Sequence, residues 1–442
     1  MLLDLALLIV VAAVVVTALL ARYTNLPITA LEILAGTLLV SAFAFDLPPA
    51  ATSLTGIGSL LIVFLAGIET RWDFLRQNLR RALLLGVPGF AVPFAGLLAI
   101  FLGVLHAPLL ISLVGATVLA DTSISIVYST LYQYSVAELP LGRLILAGTL
   151  VINLAEDTTI TTASLLTGPG FLMTLVLLGA LAAAAVTLPK VIHWLTPRTG
   201  ATFSNLSTRL TLCSLLVLGT LSSLVGAPGI LFVFLMGLLF STYTDRAFVQ
   251  DVQKFAFAFF VPFYFVAVGL HVELASVLAN LPLLLGLVAA ASALKVAGLW
   301  PAARSSLGPK LAPSAVVLMN TRLTSATVIL LLALSLGMIP VEWYSLLISA
   351  VVILALGSAG LLRATPAFRS EASVREAFGA VSKRLGRCVR APRGLGPHEA
   401  PARPGPSVAA TGLPRVAGGT GLPSSVRRPS ATSLSGGRNA HP

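Results

Sequence analysis

Of the 442 residues, 57% are hydrophobic and 10% charged, and the mean hydropathy is +0.97, which excludes a water-soluble globular protein. The net charge of +12 would suggest a nucleic-acid partner in a soluble chain. Here nearly half of the Lys and Arg lie beyond Leu362 and most of the others sit in short loops, so the excess reads as membrane topology and no nucleic acid is expected.

The apolar runs are continuous, about 20 residues long, and broken by Gly, Pro or charge, whereas a transmembrane barrel needs ~10-residue segments of alternating polarity. The chain therefore reads as an all-α polytopic membrane protein. In order, thirteen spans are expected at 2–21, 28–45, 53–69, 82–105, 108–132, 142–167, 171–195, 209–225, 228–243, 255–270, 279–303, 312–337 and 341–362. The first lacks the basic region and cleavage site of a secretory signal and is kept as a helix. With the N-terminus outside, thirteen loop Lys and Arg fall on the inner side, from Arg22 to Lys310, and none on the outer side. That asymmetry predicts a cytoplasmic tail from residue 364; a plasma-membrane location is expected.

Charges inside spans are costly, roughly 2.5 to 3.5 kcal/mol each on insertion scales, and mark function. The fifth span carries Asp121 in the run Gly115-Ala-Thr-Val-Leu-Ala-Asp-Thr-Ser-Ile-Ser-Ile. The sixth carries Asn153, Glu156 and Asp157 among threonines, the eleventh Lys295, and the twelfth Arg322 within Val317-Leu-Met-Asn-Thr-Arg-Leu-Thr-Ser-Ala-Thr. Asp4 and Glu69 lie nearer span ends, as do His106, His193 and His271, which read as interfacial. The polar centres of the fifth and twelfth spans, Asp121 to Ser123 and Asn320, Thr321 and Thr324, predict two broken helices that expose backbone carbonyls to a cavity. Seven spans apart, they run in opposite directions, as inverted repeats require. No nucleotide-binding loop, protease motif or metal cluster is present, so neither a primary pump nor an enzyme is expected. No cofactor is expected either, and the two cysteines, Cys213 and Cys388, have no disulfide or metal spacing.

Glu156 and Asp157 read as the proton and cation site of a transporter. A carboxylate taken out of water can hold a proton or a dehydrated cation but not both comfortably, and competition for one site is enough for exchange. A hard cation wants oxygen ligands, which Asp157 or Glu156, Asn153, the Thr122 hydroxyl and freed carbonyls would supply as metal ligands. Lys295 would balance an acid when the cation is absent.

Several runs resemble a known family. Leu31-Glu-Ile-Leu-Ala-Gly, Phe64-Leu-Ala-Gly-Ile-Glu, Gly142-Arg-Leu-Ile-Leu-Ala-Gly, Phe259-Phe-Val-Pro-Phe-Tyr-Phe-Val-Ala-Val-Gly-Leu, Ala293-Leu-Lys-Val-Ala-Gly and Met319-Asn-Thr-Arg occur in the order found in the monovalent cation:proton antiporter-2 family, the Kef-type sodium/hydrogen exchangers. The resemblance covers about 28–362. It implies the sodium/proton antiporter fold: thirteen helices, inverted repeats with two crossed broken helices, a panel that dimerises, and a core that carries Na+ or K+ against protons. It also places Asp121 to Ser123 and Asn320 to Thr324 at the crossing, beside the acidic helix, with Lys295 pairing with an acidic residue; Arg322, the other basic residue deep in a span, reads with Lys295 as a compensating cation.

Counted from Gly142-Arg143, the family's acidic pair would fall at Ile152 and Asn153, one turn before Glu156 and Asp157. Either the acid has moved along one helix face, since Asn153 shares that face, or Glu156-Asp157 is itself the motif. Arg322 is followed by Leu323 and Thr324 where many relatives carry Gly-Glu. A carrier or channel for another solute on this fold, such as an organic anion, is the alternative; paired acids with a lysine favour cations, because an anion carrier would point uncharged half-helix N-termini at its substrate. Residues 1–363 are thus expected to form the transporter domain and 364–442 a disordered basic tail poor in large apolar groups, with a short amphipathic stretch near Val374 to Val389.

Overall fold

The computed structural model describes residues 2–165 with short gaps at 25, 44, 46–48, 69–71 and 138, then parts of 179–194, 209–217, 228–241 and 246–365. Most of the expected span 171–195, the second half of 209–225, Glu69 and the tail from 366 lie outside the described residues. All described helices fall within one compact unit, residues 1–396.

Among the described residues the chain is helical, with no strand. The helices are α1 (Leu2–Thr24), α2 (Ile28–Phe43), α3 (Pro49–Ile68), α4 (Trp72–Ala99), α5 (Leu109–Ala120), α6 (Ile124–Gln133), α7 (Pro140–Leu165), α8 (Pro228–Phe240), α9 (Arg246–Phe255), α10 (Val261–Leu270), α11 (Leu274–Ala279), α12 (Leu281–Leu307), α13 (Ala312–Leu318), α14 (Thr324–Ser335) and α15 (Val341–Ala364). Eight described stretches are long and apolar enough to cross a membrane, and α2 and α14 are shorter apolar helices.

The start of α4 and the winding of two helices depart from the expectation for physical reasons. Helix α4 starts at Trp72, ten residues before the expected 82, because a polar lead-in carrying Asp73, Arg76, Arg80 and Arg81 is helical too; the two parts meet at a kink at Asn78, with φ −119° and ψ 21°. Single π turns at Ile100–Val104 and Ala256–Phe260 each add a residue to a turn, which a period of 3.6 cannot signal.

The helices pack as two groups. In the first, α2 lies along α10, and α3 along α8 and α10. In the second, α4 lies along α7, α12 and α5, while α12 and α13 rest on α15. Small residues set the closest approaches, as in other membrane bundles: a Cβ on Gly67 would meet Phe234 O, and one on Gly237 would meet Phe64 O. The groups touch where α8 meets α7, where α14 meets α3, and where α15 meets α2. At this last seam the buried Tyr344 hydroxyl of α15 donates to Val268 O of α10 at 2.7 Å, and Glu273 N donates to Ser345 Oγ at 2.8 Å.

Removing the first of these bonds has a modest cost, because one neutral hydrogen bond is worth about 1 kcal/mol net. Tyr344→Phe is expected to lower the unfolding midpoint of the purified protein in detergent by a few degrees. An unchanged midpoint would mean that the bond contributes nothing to holding α15 on α10.

Candidate functional site

Both polar-centred spans are broken where the residues change character. The fifth stops at Ala120 and restarts at Ile124, leaving Asp121, Thr122 and Ser123 outside helical geometry, with ψ 164° at Asp121 and 108° at Ser123. The twelfth stops at Leu318 and restarts at Thr324, with Leu323 at φ −160° and ψ −61°. Short polar side chains offer the freed backbone other partners and so tolerate such a break.

The two breaks are bonded to each other. Ser123 N donates to Thr321 O at 2.8 Å, the Thr122 hydroxyl donates to Met319 O at 2.7 Å, and the Ser123 and Thr324 hydroxyls lie 2.7 Å apart. Thr321 Oγ1 donates back to Leu318 O at 2.7 Å. Asn320 anchors the far side, its carbonyl accepting from Ser358 Oγ at 3.3 Å. Asp121, Thr122, Ser123, Thr321, Arg322 and Thr324 are all buried.

Lys295 of α12, fully buried, donates to Ala120 O at 2.5 Å and Asp121 O at 3.0 Å. These carbonyls form the C-terminal end of a half-helix, where the unpaired oxygens and the helix dipole favour a cation. The expected pairing of Lys295 with a carboxylate thus takes another form: its hydrogen bonds go to backbone oxygens, with Asp121 and Glu156 as electrostatic neighbours. Arg322 is also fully buried; Nη2 donates to Ala291 O at 3.2 Å, Asp121 is its nearby anion, and Nε and Nη1 have no hydrogen-bond partner.

Helix α7 brings the acids to this crossing. The Asn153 amide donates both ways, to Thr122 O at 2.8 Å and Thr149 O at 3.1 Å, which leaves Oδ1 uncommitted. Glu156 is 0% exposed and faces Asp121, Asp157 and Lys295. Asp157 is 4% exposed and lines a crevice between the two helix groups together with Asn153 and Ser325, walled by Ala66 of α3, Phe234 of α8 and Val328 of α14. The two acids of the sixth span are thus separated, Asp157 onto the crevice and Glu156 behind it.

Two features differ from the ligand set read from sequence. Thr122 donates its hydroxyl to Met319 O at the crossing and is not among the residues that line the crevice. Ser325, not singled out from sequence, takes that place: it lines the crevice, and its hydroxyl donates to Asp121 Oδ2 at 2.9 Å, while Asp121 Oδ1 accepts from Thr122 N. The signal was present, since Ser325 follows Thr324 in the same polar run, but which hydroxyl faces the acids depends on how the breaks cross. Among the described residues no cluster of three or more His, Cys, Asp and Glu forms a resident metal site. What the arrangement can do is present one carboxylate and neutral oxygens to a small cation, with Lys295 holding one half-helix end and Arg322 tying the second break to α12.

A family model described as sodium/hydrogen exchanger, transmembrane, matches residues 9–365. The probable Na(+)/H(+) antiporter 3 of Methanocaldococcus jannaschii is 25% identical over 257 residues, covering 55% of this chain and 64% of its own length. The putative Na(+)/H(+) antiporter YjbQ of Bacillus subtilis is 25% identical over 257 residues, 53% of this chain and 42% of its own. The Na(+)/H(+)-K(+) antiporter GerN of Bacillus cereus is 26% identical over 247 residues, 50% and 58%. The chain therefore spans less than two thirds of the length of these relatives. In structure it is similar to the sodium proton antiporter MjNhaP1 from Methanocaldococcus jannaschii at pH 8, with a TM-score of 0.61 at 16% identity, over 86% of this chain and 100% of that one.

Proposed function

The chain belongs to the sodium/hydrogen exchanger family, and from that premise we propose that it is a secondary transporter, not an enzyme, that exchanges Na+ or K+ for protons by alternating access. The observation that carries the reading is the crevice between the two helix groups. There the Asp157 carboxylate and Asn153 open toward the first group, with Asp121, Glu156, Lys295 and Arg322 buried behind them at the crossing. The printed names of the relatives, antiporters for Na+ and H+ and in one case also K+, support the choice of substrates.

In this reading Asp157 holds either the cation or the proton. Movement of the second group past the first, with the seam around the crevice as the sliding surface, carries the site across the bilayer. Lys295 and Arg322 keep the crossing close to neutral when the cation leaves. The Kef-type resemblance extends the proposal to thirteen helices, a homodimer formed through the first group, a transporter domain over 1–363, and a cytoplasmic tail over 364–442. An N-terminus on the outer side follows from the distribution of loop Lys and Arg, and the plasma membrane completes the proposal.

Proteoliposomes loaded with a pH dye and pulsed with Na+, K+ and Li+ in turn test the reading. A cation-specific collapse of an imposed pH gradient is expected, and no response to any of the three by intact, folded protein would remove it.

The division between the acids has its own expected result. Glu156 does not line the crevice, so it meets the cation only through space. Glu156→Gln removes the carboxyl with little change in shape and is expected to slow cation-driven proton flux by about tenfold at most without abolishing it, since even one full neighbouring charge acts on that scale through protein. A complete loss in the same dye assay would place Glu156 in the exchange itself.

A further inference from the structure

We propose that Ser325 is a cation ligand and, through its hydrogen bond, the positioning residue for Asp121. The inference rests on the antiport reading for its substrate class and on the crevice geometry for its location.

A hydroxyl has one proton to donate and two lone pairs to offer. The Ser325 proton goes to Asp121 Oδ2 at 2.9 Å. Asp121 is then held from three sides: by Ser325, by Thr122 N on its other carboxylate oxygen, and by Lys295 on its backbone carbonyl. Asp121 itself is fully buried, whereas Ser325 lies on the crevice. The Ser325 oxygen, having donated its one proton to Asp121, keeps two lone pairs, and the residue lines that space.

Asn153 is oriented the same way by different bonds. Both amide hydrogens point inward, to Thr122 O and Thr149 O, so its free atom is also an oxygen. Asp157, Asn153 and Ser325 together give one carboxylate and two neutral oxygens around a single crevice. Oxygen-only donors suit a hard cation such as Na+, Li+ or K+. Because Ser325 donates to a carboxylate, its own oxygen becomes a better acceptor, and a cation on that oxygen is felt at Asp121 and Lys295. The hydroxyl thus links the crevice to the buried charges, a link that neither Thr122 nor Ser123 makes, since neither lines the crevice.

The test compares Ser325→Ala, Ser325→Cys and Ser325→Thr in the full-length protein. Initial rates of proton flux are followed against Na+, K+ and Li+ concentration in proteoliposomes. In parallel, the purified protein is melted over a range of each cation, since a bound ligand raises the midpoint by mass action. The proposal expects half-saturation of the transported cation to rise about tenfold in Ser325→Ala and Ser325→Cys, the loss of one charge-assisted contact, with maximal rate nearly kept and Ser325→Thr close to wild type. The cysteine variant keeps the volume and removes the oxygen. If it behaves as wild type, Ser325 acts by packing and the proposal falls. Unchanged half-saturation in Ser325→Ala also overturns it. Should the wild type show no cation-driven flux yet be stabilised by one of the cations, and Ser325→Ala need about ten times more of it, the ligand stands and the antiport reading falls. If no cation stabilises or drives the wild type, both are overturned.

Discussion

Asp157→Asn is expected to abolish cation-driven proton movement, by at least about a hundredfold, while leaving a folded protein. The size follows from chemistry: an amide cannot release a proton at any accessible pH, so the exchange of proton for cation loses its carrier, and the crevice loses its one anionic ligand. Preservation of the fold follows from geometry. Asp157 receives no hydrogen bond from the described residues, and asparagine has nearly its shape, so no partner is orphaned. Size-exclusion profile and dye-reported flux, measured on the same preparation, separate the two effects. Flux above a tenth of wild type in well-folded Asp157→Asn would mean that another acid couples, with Glu156 the next to substitute.

Gly237→Val is expected to prevent assembly of the first helix group. A Cβ at Gly237 would press on the backbone carbonyl of Phe64 and come within 3.0 Å of Ile68 N; the reciprocal atom on Gly67 would press on Phe234 O and come within 2.8 Å of Leu238 N. These neighbours are backbone, not side-chain tips, so α3 and α8 must separate along the contact. Lipid tails are as apolar as the helices, so close packing is what holds such a pair together, and losing it has no compensating burial. Overpacking of this kind costs about 1–3 kcal/mol, occasionally more, and here it also displaces Ala66 and Phe234, which wall the crevice. Gly286→Val on α12 is the matched control, because no atom lies within 4 Å of a Cβ there. The yield of monodisperse protein should fall several-fold for Gly237→Val relative to the control; equal yields would show that the crossing tolerates separation.

The broken helices were legible from sequence because physics leaves little choice. Asp121-Thr122-Ser123 and Asn320-Thr321-Arg322 sit in the middle of apolar spans, where a polar run must find backbone or a cavity. Lys295 and Arg322 stood out for the same reason, as did the face shared by Asn153 and the two acids. What could not be read was direction. Adjacent positions on a helix point about 100° apart, so the run Glu156-Asp157 does not say which acid meets the crevice; the packing of α7 against α8 and α4 decides it. The exchange of Thr122 for Ser325 has the same origin, because both hydroxyls sit at breaks and only the crossing turns one of them outward. Lys295 was expected to face a carboxylate, yet the half-helix end offers two carbonyls at hydrogen-bonding distance. Sequence records the charges and not the orphaned backbone that competes for them. The close pair Gly67 and Gly237 was invisible for a related reason, as the two glycines are far apart in sequence and ordinary in each span.

The central claim is coupling, that cation entry and proton exit are one event at Asp157. The most direct measurement is uptake of labelled Na+ and K+ into sealed proteoliposomes across an imposed pH gradient, acid inside, for wild type and Asp157→Asn. Exchange predicts uptake by the wild type that rises with lumen acidity, vanishes when an ionophore removes the gradient, and is absent in Asp157→Asn. Uptake of either cation that is indifferent to the gradient, or that survives in Asp157→Asn, would contradict the account and make the crevice the path of a carrier or channel without proton coupling.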